Sequence, residues 1–425
     1  MRQSSSVERV VVKNRIKGTV SVPSSKSLLQ RYMIAAFLAG GETALDVVHH
    51  CEDSLSCLEA IRLLGAKIQT GDGDASLLIS GCNGLVNPLA GSISCGESGF
   101  ALRALIPVAA LSIQHILLTA TGSLQQRPIH FQENVFRQLQ VEGKTLNGFP
   151  PVSLKGPLRF RDIAVDGSLS SQLLTGLLMV FPLAPEDHII EVRDLKSRQY
   201  VDLTMRVMTE FGVSIRHEAY RKFFIPGSQV YKPCKVKVEG DWSAAAMMLV
   251  AGATAGEVTV NNVSRNSLQP DKAIVELLKH CGAKISQEDN SITAAAARLK
   301  SFQFDATDCP DLFPPLAALA VRCNGVSEIT GVERLIHKES NRALSLQREF
   351  SKMNDNVISV EGNKMFVRGG LPLKSVLVDS HNDHRIAMAL AVAGLNIEGG
   401  ITIRRAESVE KSYLEFFSDL ELLTL

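Results

Sequence analysis

The stretch SVPSSKSLLQRYMIAAFLAGG, Ser21 to Gly41, sets a plan that the rest of the chain repeats. Pro23 ends a run typical of a β-strand, and Ser24 or Ser25 can cap a helix that begins near Lys26. The free backbone N–H groups of such a helix start, together with Lys26 and Arg31, favour a phosphate or carboxylate ligand. The glycines of a P-loop are missing, and a capped helix with solvated charges is the alternative interpretation.

Five later segments share this plan of a small polar cluster followed by an Ala/Leu-rich helix. After Lys26, the matching positions follow at intervals of about 70 residues, at Gly99, Gln172, Ala244, Pro314 and His384. Many units hold a second, amphipathic helix and then β-branched runs, with the clearest second helices predicted at Cys51–Leu64 and Pro270–His280. A unit of this size cannot bury its own apolar helix, so three units must share one core.

The repeat predicts the fold class and the domains. We expect an α/β protein, a two-domain inside-out α/β barrel with three βαβαββ-type repeats per domain, helices inside and sheets outside. A chain of 425 residues exceeds what one core usually supports, which agrees with two domains. We predict that residues 1–18 and 239–425 form a discontinuous first domain, that residues 19–238 form the second, and that Val7–Val12 pairs with the later half. The active site is expected in the cleft between the domains.

Composition excludes several classes of function. The net charge is +1 and no basic stripe is interleaved with aromatic residues, so we expect no nucleic-acid partner. No apolar run is long enough for a membrane span, and the N-terminal residues lack a signal-peptide pattern. The eight cysteines contain no C-x-x-C pair, which is typical of reduced thiols in the cytoplasm.

Polar residues gather at the predicted helix starts. If these starts face one cleft, their cations suit small substrates that carry phosphate and carboxylate groups. The residues are Lys26, Ser27, Arg31, Arg103, Arg127, Ser170, Ser171, Gln172, Arg342, Arg385 and Lys411, with the acids Asp311 and Glu339.

Several of these residues allow two interpretations. Asp311 could cap a helix or accept a substrate proton. Lys338 and Arg342 would share one face of a helix and grip one substrate, with Glu339 pointing elsewhere, or they could belong to a solvated charged helix.

Two further motifs also remain open. Ser170-Ser171-Gln172 could cap a helix or bind an anion. The segment HNDHR from His381 to Arg385 could suggest metal ligation, but no third ligand is visible and Asp383 could simply cap a helix.

With these motifs taken together, the chain resembles the 5-enolpyruvylshikimate-3-phosphate synthase family of enolpyruvyl transferases over essentially its whole length. The matching motifs are Lys26-Ser27 with Arg31, Glu97-Ser98-Gly99 with Arg103, Gln126-Arg127-Pro128-Ile129, Asp166-Gly167-Ser168 with Ser170-Ser171-Gln172, Ser197 with Tyr200, Pro310-Asp311, Lys338-Glu339 with Arg342, Asn382-Asp383-His384-Arg385, and Lys411.

The resemblance implies transfer of the enolpyruvyl group of phosphoenolpyruvate to shikimate 3-phosphate, with no metal and no cofactor. It implies that shikimate 3-phosphate is bound by Lys26, Ser27, Arg31, Ser170, Ser171, Gln172, Ser197, Asp311, Arg334 and Lys338. It implies that phosphoenolpyruvate is bound by Lys26, Gly99, Arg127, Gln172, Arg342, Arg385 and Lys411. The implied catalytic residues are Asp311 as proton acceptor and Glu339, with Lys26, as proton donor. We also expect a cytoplasmic monomer whose domains close on the substrates.

The chain departs from the family at a few positions. Glu97 replaces a common Asn, Phe100 a common Thr, Ala104 a common Pro, Arg334 an Asn that often contacts substrate, and Ser24 a glycine. The response to the family inhibitor glyphosate therefore stays open. The alternatives are a UDP-N-acetylglucosamine enolpyruvyl transferase, which typically has a Cys in the loop that here spans Thr121–Gln126 without one, and an inactive anion-binding homologue.

Overall fold

The computed structural model describes residues 7–71, 76–129 and 132–425. The chain forms two compact units, a discontinuous unit of Met1–Pro23 with Glu239–Leu425, and a continuous unit of Ser24–Val238. The first division falls after Pro23 because a strand, Ile16–Ser21, runs on past Gly18 and pairs within the discontinuous unit.

The helices and strands follow one another in a regular order. The strands are β1 Glu8–Val11, β2 Ile16–Ser21, β3 Glu42–Asp46, β4 Lys67–Thr70, β5 Ser76–Ser80, β6 Ser92–Ser94, β7 His115–Thr119, β8 Glu142–Leu146, β9 Phe149–Lys155, β10 Ile163–Asp166, β11 His188–Arg193, β12 Arg216–Glu218, β13 Lys222–Ile225, β14 Lys235–Lys237, β15 Gly256–Asn261, β16 Lys284–Gln287, β17 Ser291–Ala295, β18 Gln303–Asp305, β19 Gly325–Thr330, β20 Ile358–Glu361, β21 Lys364–Gly369, β22 Leu377–Asp379 and β23 Ile401–Arg404. The helices are α1 Lys26–Leu38, α2 Glu52–Leu64, α3 Gly99–Ala109, α4 Gln132–Gln138, α5 Gln172–Val180, α6 Arg198–Glu210, α7 Trp242–Ala255, α8 Ile274–Cys281, α9 Phe313–Ala320, α10 Arg342–Met353, α11 His384–Gly394 and α12 Phe416–Leu422.

One complete repeat runs β6-α3-β7-α4-β8-β9. Its strands form a sheet in the order β6-β7-β9-β8, in which β6 and β7 are parallel and β9 is antiparallel to both β7 and β8. The sheets β10-β11-β13-β12 and β18-β19-β21-β20 have the same topology. The predicted βαβαββ repeat is confirmed.

The first repeat of each unit takes its leading strand from a distant part of the chain. In the discontinuous unit β2 pairs in parallel with β15, and in the continuous unit β14 pairs in parallel with β3. The last repeat, β22-α11-β23-α12, takes its third strand from β1, which pairs antiparallel with β23. The predicted return of Val7–Val12 to the later half of the chain is therefore confirmed, and the described strands of each unit make three separate sheets.

Helices form the centre of both units, as predicted. Every residue of α7 is buried, and so are all residues of α1 from Leu28 to Leu38. In the continuous unit α3 and α5 cross closely, since a side chain at Gly176 would place its Cβ 2.2 Å from the carbonyl oxygen of Ala104. Strands such as β9 alternate buried and more exposed residues, so one face of the sheet packs on the helices.

The predicted second helices also occur. Cys51–Leu64 corresponds to α2, with Cys51 as the residue before its first turn. Pro270–His280 is divided into a 3-10 helix, Pro270–Ala273, and α8. Trp242, the one tryptophan in the sequence, is fully buried at the start of α7. No helix among the described residues is both long and apolar enough to cross a membrane.

Candidate active site

The predicted site residues lie where the buried helices begin. In the continuous unit, Lys26, Gly99 and Gln172 are the first residues of α1, α3 and α5. In the discontinuous unit, Asp311 lies in the 3-10 helix Pro310–Leu312 directly before α9, and Arg385 lies in the first turn of α11. The repeat thus brings polar residues to the same end of equivalent helices.

At the start of α1, the ammonium group of Lys26 is held by a carboxylate. Its Nζ donates to Oδ2 of Asp53 at 2.9 Å, and both side chains are mostly buried. Ser25 caps the helix, as predicted, by accepting from the N–H of Leu28 at 3.5 Å. Sequence reasoning missed Asp53, whose position in the first turn of α2 was the available signal.

Arg31 is buried, and its guanidinium group is held by groups of the same unit. It donates to the carbonyl oxygens of Ser27 (2.7 Å) and Tyr200 (3.1 Å) and to the hydroxyl of Thr204 (2.9 Å). Burial lowers the pKa of Arg31 to about 10. The ring of Phe100, which replaces a common Thr, has its centre 4.6 Å from the guanidinium carbon, so this departure gives Arg31 a cation–π partner. Contact of Arg31 with shikimate 3-phosphate stays a prediction.

A second arginine connects the starts of α3 and α5. Arg103 is buried and donates to the carbonyl of Gly99 at 3.2 Å, to Oε1 of Gln172 at 3.0 Å and to the carbonyl of Pro128 at 3.1 Å. The structure therefore joins three of the predicted motifs around one guanidinium group.

Gly99 allows Arg127 to approach the backbone of α3. A Cβ at Gly99 would lie 2.8 Å from one terminal nitrogen of Arg103, and 3.0 and 3.1 Å from a terminal nitrogen and the guanidinium carbon of Arg127. Real Cβ contacts are almost never shorter than about 3 Å, given the close packing of interiors. A side chain here must displace these guanidinium groups.

If Arg127 binds phosphoenolpyruvate, as the resemblance implies, Gly99→Ala should raise the KM for this substrate by at least about tenfold, because the methyl group moves Arg127 out of its position and binding energy is lost. The KM for shikimate 3-phosphate should change much less. Steady-state kinetics with each substrate varied in turn checks this, with Gly362→Ala as control, since a Cβ at Gly362 meets nothing within 4 Å. Gly362 has a positive φ of 56°, so the control must first be shown to be folded. Equal changes in both KM values would contradict the expectation.

The three serines predicted to bind shikimate 3-phosphate near α5 and α6, Ser170, Ser171 and Ser197, have different environments. Ser170 accepts from the N–H of Gln172 at 3.2 Å, whereas Ser171 precedes α5 without a side-chain cap bond. Ser197 is buried and has a left-handed backbone, with φ 56°, before α6. Capping therefore accounts for one hydroxyl of the serine pair, and binding of shikimate 3-phosphate by Ser170, Ser171 and Ser197 stays a prediction.

In the discontinuous unit, Asp311 is surrounded by three cations. Its Oδ1 accepts from Nζ of Lys338 at 3.2 Å and from a terminal nitrogen of Arg342 at 2.6 Å, and its Oδ2 lies 3.3 Å from a terminal nitrogen of Arg385. The residue before the 3-10 helix is Cys309, so Asp311 does not cap it. The Asp311 side chain keeps 19% exposure, so its carboxylate is not fully enclosed by these cations.

Arg342 in turn is shared by three carboxylates. Besides Asp311, it binds Oε2 of Glu339 at 2.5 Å and Oδ2 of Asp383 at 2.8 Å, and its side chain is 1% exposed. Although burial lowers the pKa of Arg342, the charges of Asp383, Glu339 and Asp311 raise it well above the usual value. Asp383 is also the predicted cap of α11, accepting from the N–H of Arg385 at 3.0 Å.

The predicted helix face shared by Lys338 and Arg342 is wrong. Asn341 caps α10, which begins only at Arg342, so Lys338 lies in the preceding bend. Both cations still meet, because each binds Asp311. The prediction that Glu339 points elsewhere is also wrong, since its carboxylate binds Arg342.

The other predicted cations of this unit are partly or fully buried. Burial lowers the pKa of Lys338 and of Arg334, against the opposing charge of nearby aspartates. Nε of Arg385 is buried and has no hydrogen-bond acceptor in the part of the chain that the structure describes. Lys411 is buried and donates to the carbonyl oxygen of Asn382 at 2.8 Å. A buried donor without an acceptor is costly, so the Arg385 guanidinium favours an anionic ligand.

Asp271 is a buried acid that sequence reasoning missed. It lies in the 3-10 helix Pro270–Ala273, accepts a hydrogen bond from the hydroxyl of Ser243, and has one oxygen without a partner among the described residues. Burial, with a smaller effect from the charge of Asp311, raises the pKa of Asp271 to about 7.

We expect Asp271→Asn to change the pH dependence of stability. Between about pH 4 and 7 the folded protein holds a proton on Asp271 that the unfolded chain has lost, so this group's contribution to the free energy of unfolding falls as pH rises. An asparagine cannot ionise, so the variant should gain stability relative to the parent over this interval. Urea unfolding at several pH values measures the difference. Asp355→Asn, in an exposed turn, is the control, and parallel curves for Asp271→Asn and the parent would contradict the assignment.

The described residues contain no group of three or more His, Cys, Asp or Glu side chains placed to hold a metal ion. His381 binds Glu349 at 2.8 Å, and His384 is buried in the first turn of α11. Of the two histidines in the H-x-x-H spacing, the first therefore contacts a glutamate from a loop and the second lies at the start of a helix.

The chain is similar to known proteins over nearly its whole length. A family model described as EPSP synthase (3-phosphoshikimate 1-carboxyvinyltransferase) matches residues 10–420. A 3-phosphoshikimate 1-carboxyvinyltransferase of Clostridium kluyveri is 37% identical over 410 residues, 96% of this chain and 95% of the relative. One from Clostridium acetobutylicum is 35% identical over 414 residues, with 96% and 95% covered.

Solved structures of related proteins share the fold of this chain. An EPSP synthase from Acinetobacter baumannii superposes with a TM-score of 0.83 at 25% identity, covering 99% of each chain. The enolpyruvyl transferase NikO from Streptomyces tendae shares the fold, with a TM-score of 0.75 at 17% identity over 98% of this chain and 97% of that one. The α/β fold class predicted from the sequence is confirmed.

Proposed function

Because the chain belongs to the EPSP synthase family, we propose that it transfers the enolpyruvyl group of phosphoenolpyruvate to the 5-hydroxyl of shikimate 3-phosphate and releases inorganic phosphate. This reaction belongs to aromatic amino acid biosynthesis. The arrangement at Arg342 supports this proposal best. Its guanidinium group binds two partly exposed carboxylates, those of Asp311 and Glu339, and other cations lie nearby.

The two acids have opposite roles in one addition reaction, since one accepts a proton and the other donates one. Asp311 accepts the proton of the 5-hydroxyl while that oxygen bonds to the central carbon of phosphoenolpyruvate. Glu339, assisted by Lys26, donates a proton to the methylene carbon, since the central carbon of an enol phosphate becomes electrophilic only when the methylene carbon is protonated. Loss of phosphate and of one methyl proton from the tetrahedral intermediate then restores the double bond.

The cations stabilise the anionic groups throughout. Arg127, Arg342, Arg385 and Lys411 suit the phosphate and carboxylate of phosphoenolpyruvate, because guanidinium groups donate two parallel hydrogen bonds to such oxygens. The buried Nε of Arg385, which has no acceptor among the residues that the structure describes, supports this role. The contacts of Lys26, Ser27, Arg31, Ser170, Ser171, Gln172, Ser197, Asp311, Arg334 and Lys338 with shikimate 3-phosphate belong to the same proposal. Both sets of residues serve one pair of substrates.

No step needs a metal or an organic cofactor. All eight cysteines are free thiols, which suits the reducing cytoplasm where we place the enzyme. We also propose that it acts as a monomer, which sedimentation equilibrium would test.

We expect the purified protein to release phosphate from phosphoenolpyruvate only when shikimate 3-phosphate is present. A coupled phosphate assay with either substrate omitted measures this. Release driven by UDP-N-acetylglucosamine would show the rival transferase activity instead, and binding of both substrates without turnover would show an inactive homologue.

A further inference from the structure

Glu97 joins the loops that follow two neighbouring strands. It lies between β6 and α3, and its Oε2 accepts from the backbone N–H of Ser123 at 3.1 Å and from the Ser123 hydroxyl at 2.9 Å. The carboxylate lies so close to Gly122 that a Cβ there would be 2.3 Å from the carboxyl carbon of Glu97. Gly122 also has a left-handed φ of 53°, so glycine alone suits this contact.

The segment held by Glu97 leads directly to Arg127. It is the 3-10 helix Gly122–Gln126, whose Leu124 is fully buried and accepts from the N–H of Arg127 at 3.1 Å. Beyond it, the carbonyl of Pro128 is held by Arg103 at 3.1 Å. The chain around Arg127 is therefore fixed before it by Glu97 and after it by Arg103.

A carboxylate suits this position better than the common asparagine. Glutamate is longer by one methylene group, and its charged oxygen accepts two hydrogen bonds, each stronger than a bond to a neutral amide. The two donors of Ser123 also offset part of the negative charge that Glu97 brings beside an anion site.

We propose that Glu97 is a positioning residue for phosphoenolpyruvate binding, because it holds Gly122–Gln126 so that the guanidinium group of Arg127 stays against Gly99. The inference rests on the proposed function and adds to it a residue that touches neither substrate. It also explains how the chain accommodates an acid at this place.

Two effects of opposite sign make the role measurable. If the charge of Glu97 mainly repels the anionic substrate, its removal lowers the KM for phosphoenolpyruvate. If the tether to Ser123 is what matters, removal raises that KM and leaves kcat and the KM for shikimate 3-phosphate near the parent values.

The test compares Glu97→Ala, Glu97→Gln and Ser123→Ala with the full-length parent. We expect Glu97→Ala to raise the KM for phosphoenolpyruvate about tenfold, the loss typical of a hydrogen bond to a charged group. Glu97→Gln, which keeps a neutral acceptor, should recover part of the loss. Ser123→Ala should have a smaller effect, and the double variant with Glu97→Ala should be no worse than Glu97→Ala alone. Glu142→Ala, at an exposed position in β8, is the matched control.

Two readouts without turnover accompany the kinetics, namely calorimetric binding of phosphoenolpyruvate and hydrogen exchange of the Ser123 amide. Faster exchange and weaker binding in Glu97→Ala support the role. Unchanged or tighter binding, equal effects on both substrates, or additive effects in the double variant would overturn it. A parent protein that fails to release phosphate with shikimate 3-phosphate would count against the proposed function, while binding and exchange would still decide the role of Glu97.

Discussion

Asp311→Asn should lower kcat by at least about a hundredfold, the usual scale for loss of a general base. Asparagine keeps the shape of the side chain and can still accept from Arg342, but it cannot take the proton of the 5-hydroxyl. The three cations around it would lose their shared carboxylate, so binding of anionic substrates should not weaken. The expected result is therefore a large fall in kcat with KM values that stay constant or decrease.

Steady-state kinetics and urea unfolding of the same preparation check this prediction. Asp355→Asn, in an exposed turn of the same unit, is the control for loss of one carboxylate. A variant with near-normal kcat would remove Asp311 from the role of base. A large rise in both KM values with little change in kcat would show that binding, and not proton transfer, is its main role.

Arg342→Met should lower the free energy of unfolding more than any other substitution proposed for this protein. The side chain is 1% exposed and binds Asp383, whose carboxylate is wholly buried, as well as Glu339 and Asp311. Removing one partner of a buried ionic group leaves uncompensated charge, which costs about 3–5 kcal/mol. Arg342→Lys should recover only part, because one ammonium group cannot reproduce the planar set of donors.

Urea unfolding measures the free energy change, with Arg368→Met at an exposed position of β21 as the control. Adding Asp383→Asn to Arg342→Met should restore part of the stability, since it removes the most deeply buried of the stranded charges. Additive losses in this pair would contradict the interpretation that Arg342 offsets the charge of the buried Asp383 carboxylate.

The sequence predicted the fold well because the determinants of the repeat are local. Apolar runs preceded by small polar residues predicted α1, α3, α5, α7, α9 and α11. The second helices α2 and α8 each end at a Gly-Ala-Lys-Ile segment, which begins at Gly65 and at Gly282. The two glycines of these segments, Gly65 and Gly282, have positive φ angles of 120° and 95°, which is common directly after a helix.

The partners of the site residues could not be predicted in the same way. Asp53 meets Lys26 only when the two helices of one repeat, α1 and α2, have packed together. Asp383 meets Arg342 only when two separate repeats have packed together. The error at Lys338 has a local cause, because Asn341 starts the helix later than the charge pattern suggested. The raised pKa of Asp271 depends on burial and on the charge of Asp311, neither of which the sequence displays.

The most direct test of the account is the mass spectrum of the product formed from phosphoenolpyruvate and shikimate 3-phosphate in heavy water. Protonation of the methylene carbon followed by loss of a methyl proton predicts an enolpyruvyl ether of shikimate 3-phosphate with deuterium in its methylene group, and this product should be nearly absent with Glu339→Gln. A product without deuterium, or no enolpyruvyl product of shikimate 3-phosphate at all, would contradict the account.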